Sequence, residues 1–112
     1  MDTKYNLIVC IVNSGFSENV MAVAKTAGAR GGTILNARGT AKEEAEAMFN
    51  ISIHPDKDMI YIIVPTKIRD NVLHALYENI GLQSEGQGIA FSLPIDNVVG
   101  LGGTDSKEKK ND

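Results

Sequence analysis

The side chains best suited to acid–base, nucleophilic or metal chemistry are few and scattered along this chain. The single cysteine, Cys10, lies inside an apolar run, which favours a small buried side chain over a reactive thiolate. The two histidines, His54 and His74, have no second ligand at metal-site spacing, so exposed positions are expected for both. Glu43 and Glu44 are adjacent, and on a helix they would diverge instead of sharing a substrate. Because no acid, base and nucleophile set is visible, we expect a protein that is not an enzyme.

Two glycine clusters are better candidates for ligand binding. Residues 28–32 read GARGG, and residues 86–88 read GQG. Glycines expose backbone N–H groups with little side-chain obstruction, which suits anions, but tight turns use the same residues. Neither cluster matches the phosphate-loop pattern, which also supplies a lysine and a serine or threonine. Anion binding and turn geometry alone therefore both stay open as explanations of these glycines.

An apolar strand followed by an amphipathic helix occurs twice along the chain. Tyr5–Val12 is a nearly continuous apolar run, and the predicted helix after it is capped by Ser17 and extends through Ala27. Met59–Val64 is the second such run, and the predicted helix Lys67–Ile80, capped by the threonine before it, carries a clear apolar stripe. A glycine follows each helix as a stop signal.

Shorter strands are predicted between and after these units, at Thr33–Ala37, Phe49–Ile53 and Ile89–Leu93. Phe49–Ile53 would form an antiparallel hairpin with Met59–Val64 around a turn at His54–Asp58. The order is interpreted as β-α-β-β-α-β, a ferredoxin-like α+β fold. Its two helices would pack on one face of a four-stranded antiparallel sheet. The other face must then be polar or be covered by another subunit.

Composition restricts the class of protein. The 112 residues fit one domain, expected over residues 1–101, and residues 102–112 contain no apolar side chain and are expected to be disordered. The formal net charge of -3 argues against nucleic-acid binding. No apolar run approaches the roughly 18 residues of a membrane span, and the first residues lack a signal-peptide pattern. A cytoplasmic protein without membrane insertion is therefore expected.

Three segments of the chain resemble the PII nitrogen-regulatory family. Residues 27–39 resemble the segment that leads into the T-loop of those proteins, and residues 61–65 resemble a strand of their sheet. Residues 86–95 resemble the B-loop and the strand after it, usually written GDGKIFVLPV. The resemblance spans about residues 5–101 and implies a homotrimer of ferredoxin-like subunits. Members of the family bind adenine nucleotides in clefts between subunits and regulate transporters, enzymes or regulators of nitrogen metabolism.

The resemblance also implies which residues of this chain would bind a nucleotide such as ATP, ADP or AMP, without a resident metal. Three residues would form one side of the cleft, three would offer backbone contacts to the adenine ring, and three would cradle the phosphates. They are, in that order, Gly31, Thr33 and Gly39; Ile62, Ile63 and Val64; and Gly86, Gln87 and Gly88. Thr40–Met48 would be the T-loop that docks on a partner protein. A bulky residue at position 88 should then abolish ligand binding without unfolding the protein.

Several positions depart from the family pattern. Gln87 stands where the family's B-loop has an acidic residue, and Ile89 stands where it has a lysine. Gly100 and Gly102 stand where the family has two C-terminal arginines. Each lost cation removes a charge-assisted contact of about 1.5–3 kcal/mol. We therefore expect a divergent PII-like paralogue with a shortened T-loop, whose ligand is a nucleotide with less phosphate or another small anion. A trimeric metal-handling or scaffold protein of the same fold, without nucleotide binding, stays open as the alternative.

Overall fold

The computed structural model describes residues 4–40, 46–48, 55–81 and 84–101. Their helices and strands are β1 (Tyr5–Asn13), α1 (Ser17–Thr26), β2 (Thr33–Arg38), β3 (Asp56–Pro65), α2 (Thr66–Ile80) and β4 (Ile89–Ile95). The strands form one sheet in the order β2-β3-β1-β4, and all neighbouring strands are antiparallel. This confirms the predicted ferredoxin-like α+β fold. The predicted tail at residues 102–112 lies outside the described residues.

Strand β3 starts earlier than the sequence pattern predicts and has a different neighbour. Asp56–Asp58, predicted as part of a turn, are its first three residues. β2 pairs with β3 over residues 56–61, and β1 pairs with it over residues 57–65. The predicted hairpin with Phe49–Ile53 is therefore wrong over residues 59–61, because both edges of β3 are already paired there. Phe49–Ile53 itself lies outside the described residues.

The predicted helix stops are confirmed, but the predicted caps are wrong. Gly28, with φ of +116°, follows the end of α1, and its N–H donates to the Lys25 carbonyl over 3.0 Å. Ser17 and Thr66 are the first residues of their helices, and neither helix has a side-chain cap hydrogen bond. The Thr66 hydroxyl instead accepts a hydrogen bond of 2.7 Å from Asn6 Nδ2, which ties the start of α2 to β1.

Both helices pack on the same face of the sheet and enclose the core with it. The largest fully buried side chains on this face come from β1, β3 and both helices, and include Ile8, Ile60, Ile62, Leu76 and Val20. Burial of such side chains contributes about 1.5–3 kcal/mol each. No helix of the described residues is long and apolar enough to cross a bilayer.

The opposite face of the sheet, here called the open face, is apolar and uncovered. Leu35, Tyr61, Ile63, Phe91 and Leu93 lie on it, and each exposes between 40% and 46% of its surface. The strand register places these residues of β2, β3 and β4 on one face, and buried and partly buried residues of β1 lie between those of β3 and β4. A continuous exposed apolar surface of this kind is typical of an interface. Of the two sequence-based options, coverage by another subunit is therefore favoured over a polar face.

Candidate ligand-binding site

The predicted site residues lie at opposite ends of the sheet. Gly31, Thr33 and Ile63 line one pocket near the first residue of β1. Gly39 and the segment Gly86–Gly88 lie at the other end, where β1 finishes at its ninth residue. Eight residue steps along a strand span about 26 Å. A single chain therefore does not bring the two groups around one small ligand.

The first group lines an open pocket of about 820 Å³ at one end of the open face. Most of its wall is apolar, with Tyr61 and Ile63 among the residues that form it. Arg30 and Lys67 are the cations of this wall, and no described carboxylate lines it. Neither cation forms an ion pair with another described residue. The pocket therefore suits a ligand with an apolar body and a negative charge.

Ile62, Ile63 and Val64, whose backbone is predicted to contact adenine, have side chains on alternate sides of β3. Ile62 and Val64 are fully buried beneath the helices, whereas Ile63 lies on the open face. The pairing with β2 reaches only as far as Tyr61. The backbone of residues 62–64 on that edge is therefore not paired with β2, which leaves the adenine interpretation as a prediction.

Gly86–Gly88 belong to a tight turn, residues 84–88, between α2 and β4. The N–H of Gln87 donates to the Ser84 carbonyl over 3.1 Å, and the N–H of Gly88 donates to the Ile80 carbonyl over 2.7 Å. Gln87 has φ of +49°, which few residues other than glycine adopt. Two of the three backbone amides predicted to cradle phosphates are thus engaged within the chain. Any anion bound at the 84–88 turn needs additional donors.

Lys57 supplies such a donor, although the sequence pattern placed it in a turn. Its Nζ donates a 2.7 Å hydrogen bond to Asn13 Oδ1, and Asn13 Nδ2 lies 3.0 Å from the Glu85 carbonyl and 3.2 Å from Gln87 Oε1. No carboxylate among the described residues forms an ion pair with Lys57. Partial burial lowers the pKa of its ammonium group below the ordinary value of 10.5. Within the described part of the chain, Lys57 is therefore a cation without an ion-pair partner beside the 84–88 turn.

The same lysine also lies against Gly39, at the end of β2. A Cβ at Gly39 would lie 3.2 Å from Lys57 Cε, and the Gly39 N–H donates to the Pro55 carbonyl over 2.7 Å. Gly39 leads into the predicted partner loop Thr40–Met48. Within that loop, residues 41–45 lie outside the described residues, and residues 46–48 are helical. Lys57 therefore lies between Asn13, which contacts the 84–88 turn, and Gly39, the residue before the predicted loop.

Sequence reasoning missed both Asn13 and Lys57. Asn13 directly follows the apolar run Tyr5–Val12, and Lys57 belongs to the predicted turn at His54–Asp58, so neither stands out as a binding residue. The one available signal was a lysine between two aspartates directly before an apolar run, but this pattern is equally typical of a loop. The hydrogen bond between them joins residues 44 positions apart, which no local pattern reveals.

Metal or thiol chemistry finds no support in the described residues. No group of three or more His, Cys, Asp or Glu side chains among them is arranged to hold a metal ion. Cys10 is 1% exposed, and burial raises the pKa of its thiol to about 11. A protonated, buried thiol is a poor nucleophile and a poor metal ligand.

A comparison with protein-family models covers nearly all of the described residues. The model of the family described as "Nitrogen regulatory protein P-II" matches residues 5–103. The chain belongs to the P-II family. This confirms the family resemblance seen in the sequence.

Solved structures of P-II proteins share the fold at low sequence identity. Arabidopsis thaliana PII bound to citrate is 22% identical with a TM-score of 0.66, over 89% of this chain and 82% of that one. The B. subtilis GlnK–ATP complex is 19% identical with a TM-score of 0.67, over 88% of each chain. CPII from Thiomonas intermedia K12, a PII-like protein bound to ADP, AMP and bicarbonate, is 17% identical with a TM-score of 0.62, over 87% of this chain and 96% of that one. No curated protein sequence matches the chain.

Proposed function

We propose that this P-II family protein is a non-enzymatic regulator that binds an adenine nucleotide with few phosphates in a cleft between two copies of the chain. The observation that carries the proposal is Lys57, a cation held beside the 84–88 turn by Asn13 and not ion-paired with any residue that the structure describes. An anionic group bound there would gain a charge-assisted hydrogen bond from an ammonium group that folding has already positioned.

Placement of the ligand between copies follows from the distances within one chain. The pocket with Arg30, Gly31 and Thr33 lies about 26 Å from the 84–88 turn along β1. Both groups can contact one nucleotide only if they come from different copies. The apolar open face supplies the surface on which such copies would associate. The homotrimer implied by the resemblance is the assembly we propose.

A nucleotide with few phosphates fits the charges at the 84–88 turn. Lys57 is a single cation, and Asp56 and Glu85 line a neighbouring pocket of about 500 Å³. Ile89 occupies the place of the lysine in the family motif. A triphosphate would bring several negative charges close to these carboxylates, at a cost in binding free energy. We therefore expect AMP or ADP to bind more tightly than ATP, as the AMP and ADP found in the Thiomonas protein suggest.

Transmission to a partner would begin where Lys57 lies against Gly39. A ligand that draws the ammonium group toward itself changes this contact, and with it the preferred conformation of the adjacent Thr40–Met48 segment. The partner of that segment would be a transporter or an enzyme, in keeping with nitrogen regulation in the family. Exposure of 75% of Met48 is consistent with a docking role for this segment.

The proposal is tested by calorimetric titration of the purified protein with AMP, ADP and ATP, combined with its mass in solution by light scattering. A trimer that binds AMP or ADP in the micromolar range is expected. Lys57→Met should weaken binding by about 10-fold or more, since one charge-assisted contact is lost. Lys25→Met removes an exposed lysine from the last turn of α1, and it serves as the matched control with unchanged affinity.

Two results would contradict the proposal. If the wild-type protein bound none of the three nucleotides, the proposal that it senses a nucleotide would be wrong. If the Lys57→Met variant bound nucleotide with the affinity of the wild-type protein, Lys57 would not contact the phosphates, and these would bind elsewhere.

A further inference from the structure

Asn13 makes more hydrogen bonds than its place at the end of a strand requires. It is 4% exposed and lies directly opposite Lys57 in the pairing of β1 with β3. Its carboxamide oxygen accepts from Lys57 Nζ, and its two amide hydrogens point to the Glu85 carbonyl and to Gln87 Oε1. Its backbone N–H donates to the Gly86 carbonyl over 2.8 Å. One residue thus joins β3, β1 and the 84–88 turn.

This arrangement accepts only one orientation of the amide. Rotation by 180° would place the NH₂ group against the ammonium of Lys57 and the oxygen against the oxygens of Glu85 and Gln87. Donors would then face a donor and an acceptor would face acceptors, which is unfavourable for buried polar groups. The position of the ammonium group and the position of the turn are therefore fixed together by Asn13.

The Asn13 side chain is uncharged, and it therefore holds Lys57 without neutralising the charge that a ligand would use. An aspartate at position 13 would also hold Lys57, but as an ion pair that neutralises the ammonium. The uncharged carboxamide accepts one hydrogen bond from the ammonium and does not neutralise its positive charge, which can then attract an anionic ligand. Desolvation by burial lowers the Lys57 pKa below its ordinary value.

We propose that Asn13 is a positioning residue, which holds Lys57 and the 84–88 turn in the arrangement that binds the anionic end of the ligand while leaving the lysine charged. This inference rests on the proposed function. Asn13 does not contact the ligand itself; it acts through Lys57. A purely structural residue would stabilise the fold equally whether or not Lys57 were present, and the two roles can therefore be separated.

The chain provides a matched control on the same strand. Asn6 is 2% exposed near the opposite end of β1 and donates its side-chain hydrogen bond to the Thr66 hydroxyl over 2.7 Å. Truncation of either asparagine removes buried hydrogen bonds and lowers stability. Only truncation of Asn13 disturbs the cation beside the 84–88 turn.

The experiment is a double-mutant cycle read by calorimetric titration with ADP and AMP, with thermal unfolding of every variant. Asn13→Ala should weaken ADP binding by about 10-fold in the wild-type background and by less than about twofold in the Lys57→Met background. Asn6→Ala should lower the unfolding temperature while ADP affinity stays unchanged. Asn13→Asp, which keeps the size of the side chain, is the second variant in case the alanine variant does not fold, and it should also weaken binding.

The possible results separate this inference from the proposed function. Equal loss of affinity from Asn13→Ala with and without Lys57 would show an independent structural role and overturn the inference, while nucleotide binding would stand. Wild-type affinity in Asn13→Ala or Asn13→Asp would overturn it as well. If the wild-type protein binds neither ADP nor AMP, both the proposed function and the inference about Asn13 are wrong.

Discussion

The N–H of Gly88 donates a 2.7 Å hydrogen bond to the carbonyl oxygen of Ile80, and this close approach accounts for a glycine at position 88. A Cβ on residue 88 would lie 2.5 Å from the same oxygen and 2.9 Å from Val12 Cγ1. Backbone atoms cannot rotate away from such a contact as a flexible side chain can. The sequence-based expectation that the fold tolerates a bulky residue at position 88 is therefore wrong, whereas the expected loss of ligand binding stays a prediction. This glycine serves the packing of the turn against α2.

Substitution Gly88→Ala should lower the free energy of unfolding by about 1–3 kcal/mol, because the turn must shift away from the last residues of α2. Gly31→Ala is the matched control, since no atom lies within 4 Å of a Cβ there and its φ is not positive. Urea unfolding should show a change within about 0.5 kcal/mol for the control. Equal stability of the two variants would contradict the close contact between Gly88 and Ile80.

Cys10 should be unreactive in the folded protein. It is 1% exposed, and a thiol with a pKa near 11 carries almost no thiolate at neutral pH. An aromatic disulfide reagent should therefore label it in urea but not in buffer, and slow labelling in buffer should follow the rate of unfolding. Because burial raises the thiol pKa from 9.0 to about 11, its contribution to stability is lost as pH rises through that interval. Rapid labelling of the native protein would contradict this placement of Cys10.

The fold could be predicted because its main elements have strong local patterns. Tyr5–Val12 and Met59–Val64 are short apolar runs rich in β-branched residues, as is typical of buried strands, and the apolar stripe of α2 ends at a glycine. The start of β3 was missed because Asp56–Asp58 are polar residues that favour turns when judged locally. Pairing with β2 and β1 on both edges overrides that preference.

The candidate site could be predicted only in part, for a different reason. Gly86–Gly88 are visible as a glycine-rich turn, but a sequence does not show that two of their amides are engaged within the chain. Asn13 and Lys57 become a candidate site only when β1 and β3 are paired in register. Local propensity describes turns and strands well, whereas hydrogen bonds between distant residues depend on the completed sheet.

Ligand affinity should fall as pH rises into the alkaline range, because Lys57 loses its proton. Desolvation lowers the pKa of its ammonium below 10.5, and a bound anion favours the protonated form. Binding is therefore strongest while Lys57 is charged and weakens as pH rises through its lowered pKa. The same shift means that the charged ammonium costs the fold stability, and this cost is relieved in the same pH interval. ADP titrations between about pH 7 and about pH 10 measure the effect.

Lys57→Arg is the control for that titration, since a guanidinium stays protonated over this interval. Its affinity should vary less with pH than that of the wild-type protein, even if arginine binds more weakly overall. The same alkaline decline in both proteins would assign the titrating group to another residue.

Assembly should depend on the open face. Phe91 lies on it opposite Val9 in the pairing of β4 with β1, is 46% exposed, and makes no part of the buried core. Phe91→Glu places a charge where an apolar interface is expected, and burial of one aromatic ring contributes about 1.5–3 kcal/mol. The variant should remain folded but dissociate to monomers at concentrations at least about 10-fold higher than the wild-type protein, as measured by light scattering. Tyr77→Glu, which introduces the same charge at a residue 75% exposed on α2, should leave the mass unchanged.

If nucleotide binds between copies, the Phe91→Glu variant should lose ADP affinity at the concentrations where it is monomeric. A monomer that still binds ADP tightly would show that the site lies within one chain.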